Sequence, residues 1–303
     1  MTRQLRLEWP TLSLIVAAYG TWLLCGWIVY DAWPLVGWAG LMLATALHSS
    51  LVHEVCHGHP TRNGRVNEAL VTANPGLIWP YRRFRTMHLQ HHVDDRLTDP
   101  FDDPESFYRA EVWYATAPAA MRRLLAWSNT LIGRLVLGPP MSALALVLGD
   151  LRARGANRRA VARAWFLHGL GTVPVIATVI WLFAMPLWLY LVAVVWPAAS
   201  IIALRAFAEH RWHETPEGRT IIVEKSALGP LFLYNNLHLV HHCHPGVPWY
   251  NLPGLYRVGR DDWRRRNAGY VYPNYWALMR QHLWRAKEPV VHPIWRRSAP
   301  PAE

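Results

Sequence analysis

Apolar residues are not spread evenly along this chain. Residues 11–30 read TLSLIVAAYGTWLLCGWIVY, with no formal charge. As a helix, that run is long enough to cross a hydrocarbon core of roughly 30 Å. A connector containing Asp31 and Pro34 leads into a second uncharged run at 35–52. Two more follow at 164–185 and 187–203, divided only by the Pro186 region. The pattern predicts about four transmembrane helices in two hairpins, in an all-α integral membrane protein. The first run reads as a span rather than a secretory leader, because it is long, contains Trp22 and Trp27, and is followed by no small-x-small cleavage pattern. A fifth apolar stretch, 127–149, is interrupted by Arg134 and Gly138-Pro139-Pro140 and reads as interfacial or re-entrant.

Charge orients this arrangement. All 31 Lys and Arg lie outside the four runs: Arg3 and Arg6, then fifteen from Arg62 to Arg163 and fourteen from Arg205 to Arg297. Positive charge stays on the cytoplasmic side of a bilayer, so both termini and the segments 53–163 and 204–303 are expected there, in a bacterial-type inner membrane. Trp33, Trp38, Trp181 and Trp188 lie near the ends of the runs, where amphipathic rings meet headgroups. A net charge of +11 beside bilayer spans fits anionic lipid or an acidic soluble partner, and no recognition motif points to nucleic acid. Cys25, Cys56 and Cys243 are too few and too scattered to bind an iron–sulfur cluster. No haem domain or flavin fingerprint is visible either, so electrons for any redox chemistry are expected from a separate protein.

Eight of the sixteen histidines fall into three clusters: His53 and His57, then His88, His91 and His92, then His238, His241 and His242. Residues three and four apart share one face of a helix, so each cluster aims its imidazoles at one place. Packing alone has no reason to favour paired imidazoles at ligand spacing. His48, His59, His168, His282 and His292 read as ordinary hydrogen-bonded residues instead. So many imidazoles exceed what one tetrahedral zinc uses and suffice for two metals with open positions, economically two irons. His53-Glu54-Val55-Cys56-His57 also satisfies the His-Glu-x-x-His zinc-protease signature with Glu54 as base, a reading that leaves the other two clusters unexplained. A metal transporter or haem carrier would need more ionisable residues within the spans than His48 and His168.

With its order of clusters and hydrophobic runs, the chain resembles the membrane fatty-acid desaturase and hydroxylase superfamily, which includes carotenoid ketolases and hydroxylases and alkane monooxygenases. His53 to His57 matches that family's first box. His88 to His92 and His238 to His242 match its two His-x-x-His-His boxes. Asp99-Pro100, the Asn-Leu before His238 and His244-Pro245 are similar to the family's box surroundings. The resemblance extends over residues 11–253 and implies a single desaturase-like domain, 1–303, whose boxes lie in a cytoplasmic helical cap. It implies a non-haem diiron centre using O2, with electrons from an external carrier such as a ferredoxin. An additional histidine often completes the iron shell in this family. His210, in Ala208-Glu209-His210-Arg211, resembles that ninth ligand, with His213 as competitor.

Glu54, Asp99 and Asn236 are the candidate catalytic side chains, with Asp95 and Glu209, as partners that fix the orientation of metal-bound imidazoles. Asp102, Asp103 and Glu105 read as solvated or arginine-paired. The expected substrate is a membrane lipid or hydrocarbon entering from the bilayer. Small residues of the first two runs, Ala17, Gly20, Gly40 and Ala44 among them, read as sites of close helix packing. The resemblance implies first a fatty-acyl desaturase and second a hydroxylase or ketolase of a carotenoid or other hydrocarbon. An intramembrane zinc protease is the lowest alternative. The arginine-rich tail from Tyr256 onward, including Arg296 and Arg297, reads as a membrane-surface anchor or a docking face for the electron donor.

Overall fold

A computed structural model describes residues 7–294; Arg3, Arg6, Arg296 and Arg297 lie outside them. Among the described residues five helices are long and apolar enough to cross a membrane: α1 (Trp9–Ala32), α2 (Pro34–Cys56), α3 (Leu131–Leu151), α4 (Gly155–Leu182) and α5 (Leu187–Glu209). Strand is confined to β1 (Ile222–Val223) and β2 (Val271–Tyr272), paired in parallel with Ile222 opposite Val271.

The helix ends are placed by local chemistry. Pro34 opens α2 at its first position, where the missing N–H costs nothing and the fixed φ suits a helix. Trp33 before it is extended, with φ −140°. α2 runs four residues past the apolar stretch that ends at Val52, because backbone bonding continues through His53 and Glu54 whatever their side chains. The first histidine box therefore sits on the last turn of a spanning helix, with His57 at its C-cap. α5 likewise runs on to Glu209, so His210 follows directly from it. The stretch 127–149 forms most of α3, one more long apolar helix than four runs suggest. Pro139 and Pro140 each remove a backbone donor inside it, and the Ser142 hydroxyl caps the Pro139 carbonyl at 3.0 Å.

The chain forms two compact units. The first comprises residues up to Thr86, Pro139–Ile202 and Leu231–Leu233. Its core contains Trp22, Leu41, Val179, Phe183 and Tyr190. Trp22 donates its indole N–H to the Tyr190 hydroxyl at 2.9 Å, and that hydroxyl donates to the Pro75 carbonyl at 2.8 Å. Gly26 lets α1 pass the Phe183 ring, where a Cβ would lie 2.2 Å from the ring edge. Outward-facing Leu35, Trp181 and Trp188 are 76, 81 and 66% exposed, a surface that suits lipid rather than water.

The second unit comprises Met87–Gly138, Ala203–Pro230 and the chain from Tyr234 onward. Ile222, Leu239, Val240, Leu252 and Trp263 form its apolar centre. β1 positions the third histidine box. Val223 donates its N–H to the Asn236 carbonyl, and Leu239 donates to the Ile221 carbonyl, which holds the helix His238–Cys243 against the strand.

Candidate metal centre

Two groups of imidazoles assemble within the second unit. His91, His210, His238 and His242 are all buried, and their ligand nitrogens lie within 4.8 Å of one another. The helix Tyr81–His91 supplies the first and the end of α5 delivers the second. The helix His238–Cys243 supplies the other two, one turn apart. His210 Nε2 lies 3.0 Å from His91 Nε2 and 3.0 Å from His238 Nε2.

The far nitrogens are anchored. His91 Nδ1 lies 2.8 Å from Asp103 Oδ1, and His238 Nδ1 lies 2.9 Å from Asn235 Oδ1. Both oxygens can only accept, so each Nδ1 carries the proton and each Nε2 can turn a lone pair toward His210. Asn235 is held in turn by Glu209, which accepts from its amide at 3.0 Å and forms an ion pair with Arg205, whose Nε lies 2.9 Å away. Three Nε2 atoms converging on one point form a group that could hold a cation.

The electrostatics differ from ring to ring. Burial lowers the His91 pKa, but the facing carboxylates of Glu105 and Asp103 outweigh it and bring the ring up to about 9, so a cation bound at Nε2 must displace a proton there. Burial and neighbouring positive charge hold His210 and His238 well below the ordinary imidazole value, so both stay neutral and able to ligate. A buried, imidazole-rich pocket whose rings are oriented by acceptors on their other nitrogens fits a redox metal such as iron.

His88, His92 and His241 make the other group in this unit, again with ligand atoms within 4.8 Å. His92 Nε2 is 3.1 Å from His88 Nε2, and His88 Nδ1 is 2.9 Å from Glu105 Oε1. The His92 and His241 rings are 4.9 Å apart edge to face, while His92 stacks on His242 at 4.2 Å. In the first unit, the rings of His53 and His57 face each other at 5.1 Å.

Of the orienting partners the sequence singles out, Glu209 reaches the cluster, 3.5 Å from His238 Nδ1 and bonded to Asn235; other residues that hold the histidines are ones it does not mark. Asp103 and Glu105, read above as solvated, hold His91 and His88. Asp99 instead closes a turn, accepting from the backbone N–H groups of Phe101 and Asp102. That turn folds the chain back so that Asp103 reaches both His91 and the Thr98 N–H. Asn236 braces the backbone by donating to the Val223 carbonyl at 2.7 Å, and its neighbour Asn235 is the one that meets His238. Glu54 lies 3.7 Å from His59 Nε2, in a buried group with Glu8, whose Oε1 is 2.7 Å from His59 Nδ1. Burial lowers the His59 pKa, yet the two carboxylates raise it overall.

His213 bonds Thr215 rather than joining the cluster. Asp95 has an exposed side chain. His48, His168, His282 and His292 bond Tyr19, the Leu77 carbonyl, Tyr272 and Thr98 respectively. The signal for Asp103 and Glu105 was present in Asp99-Pro100 and Asp103-Pro104, two proline-marked turns in six residues, but it shows only that the chain reverses there.

The histidine clusters lie within residues 31–274, which match the fatty acid desaturase family model. The chain belongs to that family. It is similar to beta-carotene ketolases of two Paracoccus strains. One, from strain N81106 / MBIC 01143, is 25% identical over 73% of this chain and 76% of its own length. The other, from strain PC1, is 23% identical over 81% of this chain and 88% of its own length. The human sphingolipid delta(4)-desaturase/C4-monooxygenase is 28% identical over 84% of this chain and 75% of its own length. This protein is therefore an integral membrane oxidoreductase of the desaturase type. Its family uses non-haem diiron, and it carries histidine clusters suited to holding metal.

Proposed function

We propose that this desaturase-family protein is an O2-dependent diiron oxidoreductase acting on saturated C–H bonds of a membrane lipid, in the first place a fatty-acyl desaturase. The observation that carries the reading is the buried cluster of His91, His210, His238 and His242, with the Nδ1 atoms of His91 and His238 anchored. These four hold one iron. His88, His92 and His241 hold the other, and the family's pattern adds His53 and His57 of the first box as ligands. Iron bound there supplies, with O2 and two external electrons, the oxidising power to break an unactivated C–H bond.

The protein's own part is geometric and electrostatic. Asp103, Glu105 and the Asn235–Glu209–Arg205 chain hold the Nδ1 atoms of His91, His88 and His238. They also stop the rings from turning away. Burial of the cluster keeps bulk water from the oxidant. The exposed apolar helix surfaces offer a hydrocarbon substrate its approach from the bilayer.

Hydroxylation or ketolation of a carotenoid or other hydrocarbon is the second reading. Two relatives are named as carotene ketolases and a third as both desaturase and monooxygenase. The zinc-protease reading of His53-Glu54-x-x-His57 loses support, since the Glu54 carboxylate lies beside His59 and Glu8.

We place the boxes and both termini on the cytoplasmic side of a bacterial-type inner membrane, with four crossings. Between Cys56 and Leu131 no described helix is long and apolar enough to cross, so α3 begins on the side where α2 ends. It also finishes there. Asp150 accepts from Arg83 Nε at 2.8 Å, two residues beyond Tyr81, whose hydroxyl donates to the Val55 carbonyl. Arg154, Arg158, Arg159 and Arg163 follow immediately, on the side the positive-inside rule requires. α3 therefore re-enters or lies in the interface.

The test is expression in a host that lacks such activity, with deuterated stearate supplied under air. Lipid analysis by mass spectrometry and iron quantitation of detergent-purified protein follow. Two irons per chain and a new double bond, both lost in His241→Ala, are expected. Zinc alone, with no change in any lipid or carotenoid, would overturn the reading.

A further inference from the structure

We propose that the segment Lys287–His292 is a clamp that positions His210, with Lys287 as the positioning residue that grips the ligand's own peptide. The inference rests on the diiron reading, in which His210 is an iron ligand. Two of the four clustered rings, His91 and His238, are oriented by acceptors at Nδ1. His210 Nδ1 is buried and has no hydrogen-bond partner among the described residues. A ligating imidazole is normally aimed by whatever its second nitrogen touches. For His210 the aim has to come from the backbone instead.

Lys287 supplies it from 77 residues further along the chain. Its Nζ donates to the His210 carbonyl, to the Ala208 carbonyl at 3.3 Å and to the Tyr270 hydroxyl at 3.0 Å. Tyr270 directs its own proton to the Ala208 carbonyl at 2.6 Å, so toward Lys287 its oxygen accepts. Three acceptors therefore engage the three protons of an ammonium. That ammonium lies 5.3 Å from the Phe207 ring centre and 5.5 Å from that of Phe107, and among the described residues no carboxylate is bonded to it. Its counter-charge is the end of α5, which closes at Glu209. The last carbonyls of a helix carry partial negative charge, and a cation bonded to them is stabilising.

The next residue grips the far side of the ligand. Glu288 Oε2 accepts from the Tyr108 hydroxyl at 2.7 Å, and that hydroxyl accepts from the Trp212 N–H at 2.8 Å. The peptides on both sides of Arg211 are thus tied to two adjacent residues of one segment. That segment is itself fixed by main-chain bonds. Lys287 donates its N–H to the Asn129 carbonyl at 3.0 Å, Arg109 donates to the Val290 carbonyl at 2.8 Å, and His292 donates to the Arg109 carbonyl at 3.0 Å. A ring with no anchor of its own is held by a backbone that cannot shift.

The experiment is anaerobic Fe(II) titration of the full-length apo-protein in detergent, with the melting temperature of each apo form measured alongside. Wild type is compared with Lys287→Met, His210→Ala, the double variant, and Arg285→Met at an exposed neighbour. Wild type is expected to bind two irons. Lys287→Met is expected to weaken by about tenfold or more the same iron that His210→Ala weakens, and to leave the other as it is. Arg285→Met changes neither. With His210 already replaced, Lys287→Met is expected to add no further loss, since a residue that acts through His210 has nothing left to position. Tyr108→Phe removes only the hydroxyl between Glu288 and Trp212; it is expected to weaken the same iron and serves where Lys287→Met does not fold. Wild-type affinity for both irons in Lys287→Met, or in Tyr108→Phe where the former does not fold, overturns the proposal. So does a further loss in the double variant, or equal weakening of both irons with a lower melting temperature, since either makes Lys287 a support for the fold alone. If wild type binds no iron, the diiron reading itself has failed, a result separable from failure of the clamp.

Discussion

At the residue scale, each ligand ring depends on what its second nitrogen touches. Asp103 Oδ1 holds His91 Nδ1, and both side chains are 2% exposed, so no water can replace that carboxylate. Asp103→Ala is expected to weaken iron binding by about 10–100-fold. Asp102→Ala, at a side chain 55% exposed, is expected to leave it unchanged. Iron titration of apo-protein for the two variants checks this, and equal affinities would remove Asp103 from the centre.

A different histidine contributes to acid stability. Burial, with the Arg219 guanidinium nearby, lowers the His292 pKa from 6.5 to about 4, despite the opposing pull of Asp99. The unfolded chain takes up a proton on this ring near pH 6.5 and the folded chain does not. Folded stability is thus level above that pH and falls as the pH drops from 6.5 toward 4. His292→Asn keeps an acceptor for the Ile294 N–H, which bonds Nδ1 at 3.3 Å, and carries no titrating ring. Its melting temperature in detergent is expected to fall less than that of wild type between pH 7 and pH 4.5. Equal slopes would show that His292 does not contribute.

At the element scale, α3 carries the sharpest question, since its length permits a crossing and its end contacts argue against one. In a chain freed of Cys25, Cys56 and Cys243, single cysteines at Arg62, Arg154 and Ala184 are to be labelled from either side of sealed vesicles. Positions 62 and 154 are expected to react from one face and 184 from the other. Labelling of 154 together with 184 would mean that α3 crosses.

The same helices show what the sequence could and could not reveal. α1, α4 and α5 were legible because their apolar runs are unbroken. The end of α2 was not, since His53 and Glu54 interrupt the hydrophobicity without interrupting the backbone bonding. α3 was obscured by Arg134 and the two prolines, which weaken a hydropathy signal more than they weaken a helix held among neighbours. The histidine boxes stood out because ligand spacing on a helix is local, i to i+3 and i+4. Their carboxylate anchors are not local. Asp103 reaches His91 across twelve residues of turns. The choice of Asn235 over Asn236 depends on a turn in which Leu233 and Tyr234 take positive φ, and no periodicity reports that.

At the scale of the whole molecule, the family's pattern assigns all three histidine boxes to one centre. If all nine ligands serve one diiron centre, removing a ligand from any box disables the same reaction. The effects then do not add. His57→Ala and His92→Ala are each expected to reduce turnover to the background rate, and the double variant to be no slower than either alone, because a machine already disabled loses nothing further. Iron content separates this from simple unfolding. Each single variant should retain close to one iron per chain, held by His91, His210, His238 and His242, while the double variant retains the same one. Loss of both irons on changing His57 would instead mean that the four-histidine site cannot stand without the first box. Independent, multiplicative losses in turnover would mean that the first box and the other two do not belong to one centre.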